Sequence, residues 1–283
     1  MGHHYVPQEY LRGFASSGDP GLIWTYDKKT HFCRCLPIRN VAQEPKFYDP
    51  DVEAELAQRL EGPANIILAQ LRAGDSITPQ QRTHFAIYIA TMMKRVPRRR
   101  RIARENILPK ALDETVEKFI ADLKTSIASD EQLAARLAEA ERVRDEFRVD
   151  PPKEVIDHIK APWPTVAMIK AIASMTWRLA FTQGPQLFVT SDNPAFFFDA
   201  FGVGTAQSEV SFPLSPNLAL LGSRQGESGA TLFVEVRQIV VREVNRRTVA
   251  NAERLIFANE QQRWLPALIS KSRSHLSRID WTP

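Results

Sequence analysis

The chain has 283 residues, a mass of 32.1 kDa and a hydrophobic fraction of 43%, which together suffice for one sizeable buried core. No apolar run approaches the roughly 20 residues that a membrane-spanning helix needs, and the N-terminus lacks the features of a signal peptide, so we expect a cytoplasmic protein with no membrane partner. The formal charge is +4, and 26 of the 37 cationic residues are arginine. This excess suits nucleic acid or a phosphorylated ligand as partner, although a high genomic GC content would produce it without any functional meaning.

The opening stretch, residues 3–14, concentrates polar side chains with aromatic bodies. It contains His3, His4, Tyr5, Gln8, Glu9, Tyr10, Arg12 and Phe14. The pattern predicts a short helix over residues 3–15, with Pro7 in its first turn and an apolar face formed by Tyr10, Leu11 and Phe14. An ordinary chain terminus needs no such density of polar groups, so the stretch indicates a functional site.

The next segments predict a hairpin followed by helices. Residues 22–26 and 32–36 alternate in polarity around a polar turn, which is typical of a β-hairpin. Residues 38–48 are expected to form a loop. Helices are then expected from about residue 49 to 60 and from about 64 to 72, separated by a break at Gly62 and Pro63 and closed by Gly74.

Thr78 and Pro79 form the clearest helix start in the chain, as N-cap and first helical residue, and the helix should continue to about Lys94. Pro97 interrupts it, and an arginine run leads into two polar helices over about 98–128 and 130–147. We expect these helices to form a protruding antiparallel hairpin, an arm at about 98–150 inserted into a single domain that spans residues 1–283.

The rest of the chain alternates strand and helix signals. The apolar run 163–181 predicts a core helix, residues 187–190 a buried strand, and residues 191–194 a turn. Strands are expected at 210–212, 218–221 and 232–241, and helices at 245–258 and 261–276. The predicted fold class is α+β, with a small, mostly antiparallel sheet packed with helices.

Several motifs resemble those of the bacterial domain of unknown function 4238 family. They are the His-His-Tyr-Val-Pro-Gln opening with residues 10–12 and 14, residues 41–42 and 47–48, Arg95 with Pro97, the Ser-Asp-Asn-Pro turn at 191–194, and residues 212–216. They are spread over nearly the whole chain. The resemblance implies that His3 and His4 are native residues, but it implies no activity.

His3, His4 and Asp192 are the candidate catalytic residues. Neutral imidazoles and a carboxylate suit general acid–base work or a divalent ion that activates water, and a turn at the end of a strand is a common way to present the carboxylate. The residues expected to bind the substrate are Gln8, Arg12, Arg95 and Asn193. No ligand spacing such as His-x-x-x-His accompanies the histidines, so the metal and any cofactor stay unassigned.

A structural interpretation competes with this site. His4 and Tyr10 would then be buried hydrogen-bonding residues, and Asp192 would accept hydrogen bonds from the amides of its own turn.

Two function classes follow. The first is a hydrolase that cleaves phosphodiester bonds in nucleic acid, with His3 or His4 as base or ligand, Asp192 as carboxylate partner, and Arg12 or Arg95 stabilising negative charge. The second is a non-catalytic module that binds nucleic acid or a protein through the arginine-rich arm. Acidic residues close to the arginine run also permit a plain solvated, ion-paired helix.

Overall fold

A computed structural model gives the fold. It describes residues 2–45, 47, 50–97, 101, 105, 108–126, 130–150, 161–198, 202–271 and 276–279. The chain divides into two compact units, one formed by Met1–Val96 with Pro162–Pro283 and the other by Pro97–Ala161. Within the described chain, every helix is too short or too polar to cross a membrane.

The opening stretch is part strand and part helix, so the expected helix over 3–15 is wrong at its start. Strand β1 (Gly2–His4) pairs antiparallel with β4 (Gln43–Pro45), inside the segment expected to be a loop, and helix α1 covers only Gln8–Arg12. The cause is Pro7, which lies just before the helix with φ −57° and ψ 137°. A proline disfavours helical geometry in the residue before it, so the chain enters α1 extended.

The predicted hairpin is confirmed as β2 (Leu22–Asp27) and β3 (Cys33–Pro37), and a short 3₁₀ helix, Ile38–Asn40, follows it. The hairpin belongs to an antiparallel sheet of strand order β3-β2-β11-β6. Its other two strands are β6 (Thr190–Ser191) and β11 (Leu255–Ala258). Residues 255–258 were expected to be helical, and pairing with β2 overrides that local pattern.

A helical layer follows. It contains α2 (Pro50–Glu55), a π-helical segment (Leu56–Glu61), α3 (Gly62–Ala73) and α4 (Pro79–Lys94). The expected break at Gly62 and Pro63 is absent, because a proline in the first turn of a helix needs no N–H partner. Gly74 ends α3 in the left-handed conformation, and Thr78 forms a capping box with Gln81, as the sequence predicted.

The larger sheet has the strand order β10-β5-β9-β8-β7, and only the β10 to β5 pairing is parallel. Its strands are β5 (Thr176–Phe181), β7 (Phe196–Phe197), β8 (Glu209–Ser215), β9 (Leu218–Ser223) and β10 (Thr231–Glu235). The run 163–181 is therefore not one core helix. Helix α7 (Val166–Ala173) precedes β5, whose residues are buried along nearly its whole length and so give no alternation. This sheet and the helices around it give the α+β class that the sequence predicted.

Two further helices complete the first unit. Helix α8 (Gln238–Asn251) begins where a strand was expected to continue, and α9 (Leu265–Ser270) is shorter than predicted. The main hydrophobic core joins α1, α4 and β8 through stacked aromatic rings. The Tyr10 and Phe212 ring centroids lie 5.0 Å apart, and those of Phe85 and Tyr88 lie 5.6 Å apart. These contacts fix Tyr88 in place.

The second unit contains helices α5 (Leu108–Ser126) and α6 (Asp130–Val149). Asp113, near the start of α5, forms an ion pair with Arg148, near the end of α6, so the two helices are antiparallel as predicted. Arg142 is paired with Glu139 and Glu146 on the exposed surface. Most of the arginine run, at 98–100 and 104, and the predicted boundary at 151–159 lie outside the described residues.

Candidate functional site

The two histidines of β1 have separate surroundings. The Nδ1 atom of His3 lies 3.0 Å from Oε2 of Glu53 on α2, and both side chains are partly exposed. His4 is half-buried and lies against the end of α4, where Arg95 donates a hydrogen bond to its carbonyl oxygen over 2.6 Å. The β1 to β4 pairing thus presents the two imidazoles to different partners.

Arg95 joins His4 to a carboxylate that the sequence did not indicate. Its other terminal nitrogen donates to Oε1 of Glu61 over 2.5 Å, and the Arg95 and Glu61 side chains are 3% and 21% exposed. One guanidinium therefore fixes both the backbone of His4 and the carboxylate of Glu61. Such charge-assisted bonds in a buried setting are strong and directional.

Burial lowers the pKa of the His4 imidazole below its usual 6.5. Hydrogen bonds to the backbone of Val41 and Arg39 and the negative charge of the Glu61 carboxylate act against this effect, while the positive charge of Arg95 adds to it. The imidazole is therefore neutral at pH 7, and its Nδ1 atom is buried without a hydrogen-bond partner among the described residues. A neutral imidazole with a vacant nitrogen can accept a proton.

Helix α4 adds two buried hydroxyl groups on the face that ends at Arg95. Tyr88 and Thr91 are fully buried at positions i and i+3, with Arg95 at i+7. Their oxygens meet no hydrogen-bond partner in the described part of the chain. Burial, followed by the Glu61 charge, raises the pKa of Tyr88 well above 10, so its hydroxyl stays protonated. We refer to His4, Glu61, Tyr88 and Arg95 as the His4 cluster.

Glu61 owes its position to the π-helical segment, of which it is the last residue. A π-helix spaces its hydrogen bonds five residues apart and turns the following residues to a new direction, and such segments often occur at functional sites. His84 on α4 lies with Nε2 3.1 Å from the carbonyl oxygen of Leu60, inside the segment. This contact ties the segment to α4 directly before Glu61.

Asp192 lies in the turn after β6, and its carboxylate is held by backbone amides of the segment that leads into β11. Its two carboxylate oxygens accept hydrogen bonds from the N–H groups of residues 253, 254 and 255, each at 2.8 Å. The side chain is 2% exposed, and burial raises its pKa to about 6 although the three amides favour the charged form. The structural interpretation expected the amides of the Asp192 turn itself as donors, whereas the donors in the described chain are the amides of residues 253–255, so Asp192 is held by backbone N–H groups from a distant segment.

The structure does not show a direct bond between Asp192 and either histidine within the described chain. Tyr5, the residue after His4, lies close to Asp192. Burial raises the pKa of the Tyr5 hydroxyl, and the negative charge of Asp192 is the second cause of that increase. The polar opening stretch and the Ser-Asp-Asn-Pro turn thus approach each other at Tyr5. Asn193 and Asn251 are hydrogen-bonded to each other, since each side-chain amide donates to the other residue's backbone carbonyl, at 3.0 and 2.8 Å.

The remaining predicted substrate ligands lie on α1. Arg12 is exposed and donates to Glu9 over 2.6 Å, and Gln8 is half-buried at the start of the helix. Tyr10 has a structural role, because its buried hydroxyl bonds both Thr190 Oγ1 and the Pro213 carbonyl at 2.7 Å. Among the candidate substrate ligands, Arg95 is the one that the structure places beside His4.

No three His, Cys, Asp or Glu side chains in the described ranges lie in a position to hold a metal ion together. The arrangement that the structure brings together is instead an imidazole, a carboxylate and a guanidinium with buried hydroxyl groups behind them. The sequence missed Glu61 and Tyr88. The i, i+7 spacing of Tyr88 and Arg95 could have pointed to Tyr88, whereas no sequence signal marked the π-helical segment.

Comparison with known proteins gives a family. A family model described as "Protein of unknown function (DUF4238)" matches residues 2–262, a range that includes the whole His4 cluster. Neither the curated proteins nor the solved structures compared with the chain give a match. The match covers most of the chain and confirms the resemblance seen in the motifs: the chain belongs to the DUF4238 family.

Proposed function

We propose that this protein is a hydrolase of phosphodiester bonds in nucleic acid and that His4 is its general base. The observation that carries the proposal is the His4 imidazole, which burial keeps neutral beside the Glu61 carboxylate. A general base must be deprotonated at the working pH and must be held in place, and both conditions are met by this residue. The positive charge of the chain favours a phosphodiester as substrate.

Each member of the His4 cluster has a role in this proposal. His4 takes the proton of the attacking water, and the Glu61 carboxylate stabilises the imidazolium that forms. Arg95 is a positioning residue, because it bonds the His4 carbonyl and the Glu61 carboxylate at the same time. Tyr88 keeps its proton and remains a hydrogen-bond donor. Asp192 supports the turn beside Tyr5 and takes no part in proton transfer.

The test compares two histidine variants on bis(p-nitrophenyl) phosphate and on fluorescently labelled single-stranded RNA and DNA. We expect His4→Ala to lower the rate by about 100-fold or more, which is the usual contribution of a general base. The control is His31→Asn, at an exposed turn position with φ 57° that asparagine tolerates. Unchanged hydrolysis by folded His4→Ala protein, or no hydrolysis by the native protein, would overturn the proposal.

The pH profile gives an independent measure. Because the base must be unprotonated, the rate should decline only below pH 6.5, at the lowered pKa of His4. Glu61 raises that pKa, so Glu61→Gln should move the acid limb to still lower pH while it reduces the maximal rate. If the acid limb of the pH–rate profile is the same in Glu61→Gln as in the native protein, Glu61 is not the partner of the His4 imidazole.

The alternative prediction, a binding module that uses the arm, has weaker support. The described arm residues Arg142 and Arg148 are already paired with acidic side chains of the arm. Paired, exposed charges of this kind are typical of a solvated helix surface.

A further inference from the structure

A cationic groove lies on the first unit, along helices α8 and α9. Two cavities adjoin it, with volumes of about 640 Å³ and 460 Å³, and Arg242 and Arg246 line both of them. The first cavity also has Lys271, and the second has Arg237 and Arg278. We call this surface, formed by the five cationic residues, the α8 groove.

Part of the charge of the α8 groove is neutralised, since Arg246 pairs with Glu243 at 2.8 Å and Arg278 pairs with Glu209 at 3.1 Å. The other three cations, Arg237, Arg242 and Lys271, have no acidic partner among the described residues. Glu243 is the acidic residue among those lining the two cavities, and it already accepts from Arg246 and from the backbone N–H of Ser277, both at 2.8 Å. Arg242 uses its Nε atom on the Gln186 side chain, 3.1 Å away, and its terminal nitrogens meet no partner among the described residues. An exposed guanidinium held by one nitrogen presents the others to an anion.

The first cavity also offers an aromatic wall. Trp264 is half-buried there, and its indole N–H donates to Oε1 of Gln262 over 2.7 Å, which fixes the ring. Gln238 and Gln186 are likewise fixed, since the Gln186 backbone N–H donates to the Gln238 side chain at 3.0 Å. The cavity therefore combines cations with a preformed aromatic and amide wall, and the described residues that line it include no carboxylate.

We infer that the α8 groove binds single-stranded nucleic acid, with phosphates on Arg242 and Lys271 and a base in the cavity beside Trp264. Cations that follow a backbone together with an aromatic platform for unstacked bases are the usual elements of single-strand recognition. The cavity volume lies within the range that holds one small ligand, and a base in a duplex is not free to enter a recess. A flat lipid surface or an acidic protein helix would leave the recess unused.

The inference does not rest on the proposed hydrolysis, because binding is measured without turnover. Fluorescence anisotropy with labelled 12-residue oligo(dT) and oligo(U), checked on gels for integrity, gives the affinity of the full chain for each probe. The variant Arg242→Ala with Lys271→Ala removes two groove cations. Its matched control, Lys29→Ala with Lys170→Ala, removes two exposed cations elsewhere on the same unit.

We expect the groove variant to bind the oligonucleotides at least 10-fold more weakly than the control. The slope of log affinity against log salt should also fall by about 1.4, since each lost phosphate contact to a single strand contributes about 0.7. Arg242→Lys with Lys271→Arg should restore most of the affinity. If the double alanine variant is unstable, Lys271→Ala alone should show half of the change in slope.

Three results would overturn the inference. The first is equal weakening by the groove variant and its control, which would indicate a diffuse effect of charge. The second is a duplex of the same length bound as tightly as the single strand. The third is a groove variant that binds oligonucleotides as well as the control does but no longer binds phosphatidylserine vesicles, which would assign the groove to a membrane surface. A protein that binds but does not cleave would overturn the proposed hydrolysis alone.

Discussion

Two buried tyrosines of the aromatic core allow the contribution of a single hydroxyl group to the free energy of unfolding to be compared. Tyr10 and Tyr88 are both fully buried and both stack in the same aromatic core, but the Tyr10 hydroxyl has two partners and the Tyr88 hydroxyl has none in the described chain. Tyr10→Phe should therefore lower the free energy of unfolding by about 1–2 kcal/mol. Tyr88→Phe should leave it unchanged or raise it slightly, as urea unfolding of the two variants will measure.

Equal losses in the two variants would mean that the Tyr88 hydroxyl is satisfied in solution. The outcome bears on the site, because a catalytic role is one of the few explanations for a buried polar group without a hydrogen-bond partner.

Asp192 should make the stability of the first unit depend on pH. Its pKa is about 3.8 in the unfolded chain and about 6 in the fold, so the folded state binds the proton more tightly. This contribution is therefore most favourable below about pH 3.8 and is lost as the pH rises through about 6. The loss is about 3 kcal/mol, and Asp192→Asn should abolish it.

The measurement is urea unfolding of both proteins at pH 4 and pH 7. Asp192→Asn also disturbs the three amide contacts, so the informative quantity is the difference between the two pH dependences and not the absolute stability. Parallel pH dependences would contradict the assignment.

At the scale of helices and strands, two glycines of α3 should respond in opposite directions. Gly62 has ordinary helical geometry, with φ −53°, and a Cβ there would lie 3.5 Å from the Ala57 carbonyl oxygen, an ordinary contact. Gly62→Ala should thus stabilise the protein by about 0.5–1 kcal/mol. Gly74 has φ +85° at the end of the helix, so Gly74→Ala should destabilise it by about 1 kcal/mol.

Thermal unfolding of the two variants beside the native chain gives the check. A loss of stability in Gly62→Ala would show that the π-helical segment depends on glycine at its end, and the explanation of how Glu61 reaches Arg95 would then need that glycine.

Local chemistry decided which elements the sequence could predict. The Thr78 capping box and the Gly74 helix end depend on neighbouring residues alone, so their positions were predicted closely. Strand β5 was missed because its buried residues give an apolar run without alternation, and β11 was missed because its pairing with β2 joins residues more than 200 positions apart. Long-range pairing leaves no trace in a local pattern.

The same reason explains the site. Arg95 was expected beside the opening stretch, and the structure places it there because it follows a well-predicted helix. Glu61 was missed because its direction depends on a π-helical turn, and the expected partnership of the histidines with Asp192 took no account of the backbone amides that hold that carboxylate.

At the scale of the whole molecule, the chain leaves the first unit and returns to it at neighbouring points. Lys94, at the end of α4, donates through Nζ to the carbonyl oxygen of Trp163 over 2.7 Å, and α4 also packs against α7. The hydrophobic clusters of the first unit are built from residues of 1–96 and 162–283. A unit with its own core and adjacent connection points should fold without the segment between them.

Replacement of residues 98–160 by a Gly-Ser linker tests this expectation. The backbones at Lys94 and Trp163 lie no further apart than the length of the Lys94 side chain and one hydrogen bond, since its Nζ atom reaches the Trp163 carbonyl oxygen. A linker of about six residues can span about 20 Å, so it joins the two ends without strain. The shortened chain should unfold in one cooperative transition with a Tm within a few degrees of the native one, as scanning calorimetry will record. It should also retain the oligonucleotide affinity of the α8 groove, whose residues all belong to the first unit. A chain that no longer unfolds cooperatively would show instead that the first unit needs the helical arm in order to fold.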